Sequence, residues 1–373
     1  MNYLVTTTIN IPIALKRYIK DFEKYGRDYE VVVVGDKKSP SGTKKYCADL
    51  PRTVYLDIND QKKMFRHLPI YEYIPFNSIG RRNFGYLYCL AKQYARDDVI
   101  ITIDDDNLLK QEDFIGHHSV KAAYGEVLKA REPAWYNVLK KFYRERVFFR
   151  GFSPWHRDDK DAERVKVSQG TKEIAINQGL WEENPDVDAL DRLIGLRGDY
   201  LVRRKQSIIL AENVICPCDT QNTSYLNGFG LTAFLCPYVG RYDDIFSSLI
   251  TKRIADHFNF GVSYGAPVVR QKRNPHNNFN DFLLEIHGMA MVDKLVGVLW
   301  AMNIKADGLM QALAQVGHEL RHAMSFPALP MGRAKRDWDV SQIGTGIGLW
   351  LDALEKLGVE EIRLNNRHNS QRR

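Results

Sequence analysis

Val99-Ile100-Ile101-Thr102-Ile103-Asp104-Asp105-Asp106-Asn107 is the stretch that decides the fold. Its first five residues are apolar or β-branched without a break, which suits a strand buried on both faces in a parallel sheet. The strand runs straight into three acids. Ligands of open α/β sheets bind at the carboxyl ends of strands, so these acids mark a site. Alternation along the chain turns Asp104 and Asp106 to one side and Asp105 to the other. Two hard oxygens, completed by water and a diphosphate, satisfy Mg2+ or Mn2+. An exposed acidic turn is the plain alternative.

Working outward from this strand, the preceding segment 79–95 reads as a helix with Phe84, Leu87, Ala91 and Tyr94 along one face. Upstream, residues 3–8 suit a strand, Pro12 opens a helix that Gly26 stops, and Val31–Val34 is a second buried strand. Strand, helix and buried strand in that order make a βαβ unit, and residues 53–57 extend it. Residues 108–280 mix loops rich in Gly, Pro and Asn with short strand candidates. From about 281 the pattern turns helical, with further helices at 306–324 and 345–357. The expected division is an α/β domain over 1–300 and a helical C-terminal region over 301–373.

The 373 residues are 44% hydrophobic and 27% charged, the balance of a soluble globular protein. No apolar run is long enough to span a bilayer, and the first residues read as a core strand with no signal peptide, so a cytoplasmic location is expected. Five cysteines, only Cys216 and Cys218 close together, speak against a disulfide framework. The net charge of +7 suits phosphorylated ligands; no basic stripe interleaved with aromatics points to nucleic acid.

Several polar segments accompany the acids. Asn77-Ser78-Ile79-Gly80-Arg81-Arg82 stands at a helix start, where backbone N–H groups and arginines bind anions. Asp36, after the second strand, is placed to meet a uracil or ribose, and Thr7 lies in the last part of the first strand. Arg150-Gly151-Phe152-Ser153-Pro154-Trp155-His156-Arg157, Asn177-Gln178-Gly179-Leu180-Trp181 and Gly240-Arg241-Tyr242-Asp243-Asp244 combine rings with Arg, Asn and Asp, as carbohydrate sites do. His276 is a late candidate for the metal shell. Each alone is as readily an ordinary loop.

In this order the segments resemble the reversibly glycosylated polypeptides, the family that includes UDP-arabinopyranose mutases. The resemblance rests on Thr102–Asp106, Phe84-Gly85-Tyr86, Arg150–Arg157, Gln178–Trp181 with Pro185–Ala189, Gly240–Asp244 and Asn274-Pro275, and it spans the chain to about residue 290. It implies a GT-A fold (a nucleotide-diphospho-sugar transferase sheet), Mn2+ or Mg2+ at the triple Asp, and interconversion of pyranose and furanose UDP-arabinose. It also implies reversible sugar attachment at Arg150. A guanidinium stays protonated and is a poor nucleophile, so electrostatic stabilisation by Arg150 and Arg157 is the physically simpler role.

The expected set is therefore Asp104, Asp106 and His276 for metal, and Thr7, Asp36, Arg81, Arg82, Asp104, Asp105, Gln178 and Trp181 for the UDP-sugar. Arg150, Arg157, Asp243 and Asp244 are the catalytic candidates. Three readings follow: a UDP-sugar mutase; a transferase to an external saccharide or other acceptor, with Asp243 or Asp244 as general base; and a non-catalytic nucleotide-sugar-binding partner of an active homologue. The apolar faces of the last helices pack on the α/β domain or else join copies into a homo-oligomer.

Overall fold

The computed structural model describes residues 1–158, 160–194, 200–273, 277–323 and 341–364. Strands β1 (Asn2–Thr7), β2 (Tyr29–Val34), β3 (Thr53–Leu56) and β4 (Val99–Ile103) lie parallel in the order β3-β2-β1-β4. The side chains of β2 and β4 are almost wholly buried, as unbroken apolar runs require, while β3 at the edge is only partly covered. Helices α1 (Leu15–Lys24), α2 (Gly42–Ala48), α3 (Ile58–Phe65), α4 (Ile70–Tyr73) and α5 (Arg82–Leu90) connect them.

Gly85 lets α5 sit close on the sheet. A Cβ there would lie 2.6 Å from a Val5 methyl and 2.8 Å from a Val34 methyl. The short helical turn Ile79–Arg81 precedes α5, so the expected helix 79–95 is found in two pieces and ends sooner.

Beyond β4 the sheet turns mixed. It continues through β5 (Asn107–Leu109), α6 (Phe114–His118), β6 (Ala122–Lys129) and the small strand β7 (Ala134–Trp135). After these come β8 (Lys166–Glu182), α7 (Ala189–Leu193), β9 (Ile208–Leu210), β10 (Val214–Ile215) and β11 (Asn222–Tyr225). Helix α8 (Asp243–His257) and β12 (Gly261–Gln271) complete this part. β11 runs antiparallel between β4 and β8, while β12 runs parallel to the C-terminal half of β8. β7 and β10 pair separately. This mixed α/β sheet with parallel β3-β2-β1-β4 at one end is the expected GT-A architecture.

Among the described residues, three helices follow β12: α9 (Asn278–Ala301), α10 (Leu309–Ala323) and α11 (Gln342–Lys356). The expected boundary at residue 300 falls at the end of α9. Leu309, Leu313, Val316, Leu320, Ile343, Ile347, Trp350 and Leu354 are each at most 1% exposed and belong to the same hydrophobic cluster as the sheet. The Trp350 indole donates to the Leu231 carbonyl at 2.8 Å, and Tyr73 donates to that of Gln342 at 2.8 Å. Packing on the α/β body thus covers these faces. Among the described residues no helix is long and apolar enough to cross a membrane.

Candidate active site

The ends of β1, β2 and β4 meet over a cavity of about 490 Å³ lined by Thr7, Thr8, Asp36, Lys38, Asn77, Ser78, Arg81 and the three acids. A larger hollow, about 650 Å³, lies between α10 and α11 and shares no residue with it. We take the strand-end cavity as the site because it alone joins a topological switch point to clustered carboxylates.

Each acid has different surroundings. Asp104 accepts from Arg82, whose side chain is wholly buried and also donates to the Thr220 carbonyl at 2.9 Å and hydroxyl at 2.7 Å. Burial pushes the Asp104 carboxyl up against the pull of Arg82. The guanidinium cannot give up its proton, so the contact is a true ion pair. Asp105 accepts from Thr8 at 2.8 Å and Asn10 at 3.2 Å. Asp106 is pushed up to about 7, first by burial and then by Asp104 and Asp105. Its Oδ1 is sealed and has no hydrogen-bond partner among the described residues.

A divalent cation fits this turn. Asp106 presents an orphan oxygen, and the repulsion among adjacent carboxylates is what a cation would relieve. Among the described residues no group of three or more His, Cys, Asp or Glu side chains is arranged to hold a metal ion, so two carboxylates at most would bind it and water and diphosphate would have to supply the rest. His276 lies outside the described residues.

The remaining expected residues divide. Thr7 and Asp36 line the cavity; Asp36 accepts from the Ser78 N–H at 3.3 Å. Arg81 reaches the cavity but is 1% exposed. It is wrapped by Phe76 and Phe84 at 4.5 and 4.3 Å and bonded to Gln61, so it is mainly a wall-builder. Arg82 touches Asp104, not open space. Gln178 is fully buried, bonded to Asp219 at 3.1 Å, and Trp181 is fully buried against Phe149. Both lie inside the fold and outside the lining of the cavity, contrary to the expectation of ligand contact. Gly179 between them is packed tightly as well: a Cβ there would meet the Asn222 side-chain amide at 2.2 Å.

Arg150 is 5% exposed and fully committed. It contacts Asp186 at 3.0 Å through Nε and 2.9 Å through Nη2, Asp244 at 3.0 and 2.8 Å, and the Arg241 carbonyl. Against burial, Asp186 and Asp244 hold the guanidinium well above the ordinary arginine value. Such a group is neither a nucleophile nor an open cation; it is a buried clamp. Asp244 also accepts from the Thr220 N–H at 3.3 Å. Thr220 thus joins the Arg150 clamp to the Arg82–Asp104 pair. Arg157 bonds Asp188 and, at 2.8 Å, Asp191, with its guanidinium over Phe148 at 4.7 Å.

Asp244, clamped in this way, is not free to act as a base. Asp243 lines a separate small pocket with Leu313, Ile343 and Ile347 beneath the C-terminal helices. Its carboxyl is pushed up to about 7, first by burial and then by Asp244. An unfolded aspartate titrates near about 3.9. The folded chain therefore keeps a proton that the unfolded chain releases, and stability falls as pH rises from about 4 to about 7. Asp243→Asn should remove that loss: thermal melts should favour the variant over wild type more at pH 8 than at pH 5. Equal differences at the two pH values would show that the carboxyl is not held protonated.

Residues the sequence reading did not single out are Thr220 and Gln221, in the turn before β11: Thr220 accepts from Arg82, and the Gln221 carbonyl accepts from the Asp104 N–H at 3.3 Å. No local pattern marks them; only strand pairing brings them there.

Comparison with known proteins follows the same line. The sequence pattern described as "Reversibly glycosylated polypeptide" matches residues 4–316. The chain belongs to the reversibly glycosylated polypeptide family. UDP-arabinopyranose mutase 1 of Oryza sativa subsp. japonica is 25% identical over 304 residues, 79% of this chain and 76% of that protein. UDP-arabinopyranose mutase 3 of Arabidopsis thaliana is 22% identical, covering 92% of this chain and 89% of its own. Among solved structures, glucosyl-3-phosphoglycerate synthase from Mycobacterium tuberculosis with Mn2+, uridine-diphosphate and phosphoglyceric acid is a distant likeness. It is 13% identical with TM-score 0.41, covering 83% of this family member and 81% of that chain.

Proposed function

We propose that this chain is a metal-dependent UDP-sugar-processing enzyme that breaks and reforms the bond between sugar and diphosphate, as in pyranose–furanose interconversion. The observation that carries the reading is the orphan oxygen of Asp106 in a triple-carboxylate turn at a strand-end cavity, in a chain of this family.

Asp104 and Asp106 would hold Mn2+ or Mg2+. When bound, the ion supplies charge neutralisation for a departing diphosphate. Asp36 and the Ser78 turn bind the nucleoside end, and Lys38 adds positive charge at the rim. Arg82 fixes the rotamer of Asp104. Arg150 orders Asp186 and Asp244 behind the site, so sugar attachment at its guanidinium would first require that clamp to open.

Transfer to an external acceptor is the second reading, but Asp243 and Asp244 are poorly placed as its base. A partner without activity would have no need of the intact acids. The test is incubation with a panel of nucleotide sugars and Mn2+, without acceptor, followed by chromatography. A new isomer of one UDP-sugar supports the mutase reading. If sugar loss occurs only when an acceptor is added, the transferase replaces it.

A further inference from the structure

Large apolar side chains stand in water on one short loop. Ile9, Ile11 and Ile13, between β1 and α1, are 57%, 40% and 72% exposed. A single exposed isoleucine needs no explanation; three at alternate positions of one loop do. The loop is tied down on both sides. Thr8 and Asn10 donate to Asp105, and Ser39 donates to the Thr8 carbonyl at 2.7 Å. The Tyr46 hydroxyl of α2 donates to the Ile13 carbonyl at 3.3 Å. The backbone is therefore fixed and holds the isoleucines outward.

Basic residues surround this loop. Ile13 lies in the turn that enters α1, and Lys16, Arg17 and Lys20 follow it at helical spacing, so the four share one face. The three cations are exposed, and among the described residues none of them forms an ion pair. Lys24, further along α1, is by contrast paired with Glu112, and Lys44 of α2 with Asp57. Asp21 is buried, which leaves Glu23 as the exposed acid of α1. The charge is also unevenly placed along the chain. Through residue 67 there are 13 Lys and Arg against 8 Asp and Glu, which is +5 of the total +7.

A soluble polyanion would meet the cations and leave the isoleucines in water. An anionic bilayer satisfies both. Aliphatic side chains enter the boundary between headgroups and acyl chains, while Lys and Arg stay among the anionic headgroups. We infer that the β1–α1 loop and the first turns of α1 dock this chain on an anionic membrane surface. The docking is peripheral, by side chains alone. Ile9 also lines the strand-end cavity, so docking sets the rim of that cavity at the lipid–water interface. This inference goes beyond the UDP-sugar reading and does not depend on it.

The test is co-sedimentation of the full chain with vesicles of phosphatidylcholine alone, and with vesicles that also hold about 30% phosphatidylserine. The chain should pellet with the second and stay in solution with the first. Raising salt from about 0.1 M to about 0.5 M should weaken the binding. Lys16→Gln with Lys20→Gln should weaken it about twenty-five-fold, at about fivefold for each cation removed. Ile13→Ser should weaken it about tenfold, the worth of partly burying one isoleucine. Both changes fall at exposed positions, so thermal melts should stay at the wild-type temperature. Failure of the wild-type chain to pellet with either vesicle overturns the proposal. So does full binding by Ile13→Ser, because the cations would then be acting alone, as a site for any polyanion. Equal binding to both vesicles overturns it too, since the basic face would then contribute nothing.

Discussion

Arg150→Lys is expected to lose activity by at least about a hundredfold and to lower stability by about 3–5 kcal/mol, the usual cost of breaking a buried ion pair. The charge is kept, yet the geometry is not. Arginine spends a rigid fork of donors on two carboxylates and a carbonyl at once, whereas an ammonium is a compact point charge. Lysine can meet Asp186 or Asp244, and the other is left buried and unpaired. Because Asp244 also receives the Thr220 N–H, and Thr220 accepts from Arg82, the disturbance reaches Asp104. Arg157→Lys should be milder, since that side chain is 16% exposed and water can replace part of what it loses. Thermal melts beside turnover rates decide the matter. An Arg150 variant with a wild-type melt but no activity would mean that the guanidinium acts on substrate, and the clamp assignment would fall.

The first half of the sheet was legible because burial on both faces leaves an unbroken apolar run. Val31–Val34 and Val99–Ile103 carry that mark, and each found strand contains it. The C-terminal helices were legible by their apolar spacing: 309–323 and 342–356 were found where 306–324 and 345–357 were expected. The strand β8 was not. Its first half, from Lys166 to Lys172, is largely exposed and polar, so it shows no alternation, and only pairing with β6 makes it a strand. The short helices α2 and α3 were missed for a related reason: little of either is buried.

Within the site, the triple Asp announced itself because strand and acids are adjacent in sequence. Arg150 meets Asp186 and Asp244 across 36 and 94 residues, so nothing local tells whether it faces substrate or carboxylates. Polar–aromatic clusters misled in the same way. Gln178 and Trp181 have the residue types of a sugar site, but they occupy a stretch of β8 buried between β11 and β12.

Asp106→Asn and Asp104→Asn should both abolish turnover, by about a thousandfold or more if charge neutralisation of the diphosphate carries most of the rate. Their effects on stability should be opposite. In the metal-free chain the Asp106 carboxylate has no partner for one buried oxygen and is crowded by like charges. A neutral amide relieves that repulsion, so Asp106→Asn should melt at or above the wild-type temperature at pH 8. Asp104 instead balances a guanidinium with no exposed surface, and Asp104→Asn leaves that charge buried beside a neutral amide. Its melt should fall in proportion to a loss of about 3 kcal/mol or more. Mn2+ provides the third measurement. A cation present at a hundred times its dissociation constant should stabilise wild type by about 2.7 kcal/mol, and both variants by much less. If Mn2+ raises all three melts alike, its binding site is elsewhere and the acids serve another purpose. If Asp106→Asn falls as far as Asp104→Asn, its orphan oxygen is in fact partnered, and the argument that this turn awaits a cation fails with it.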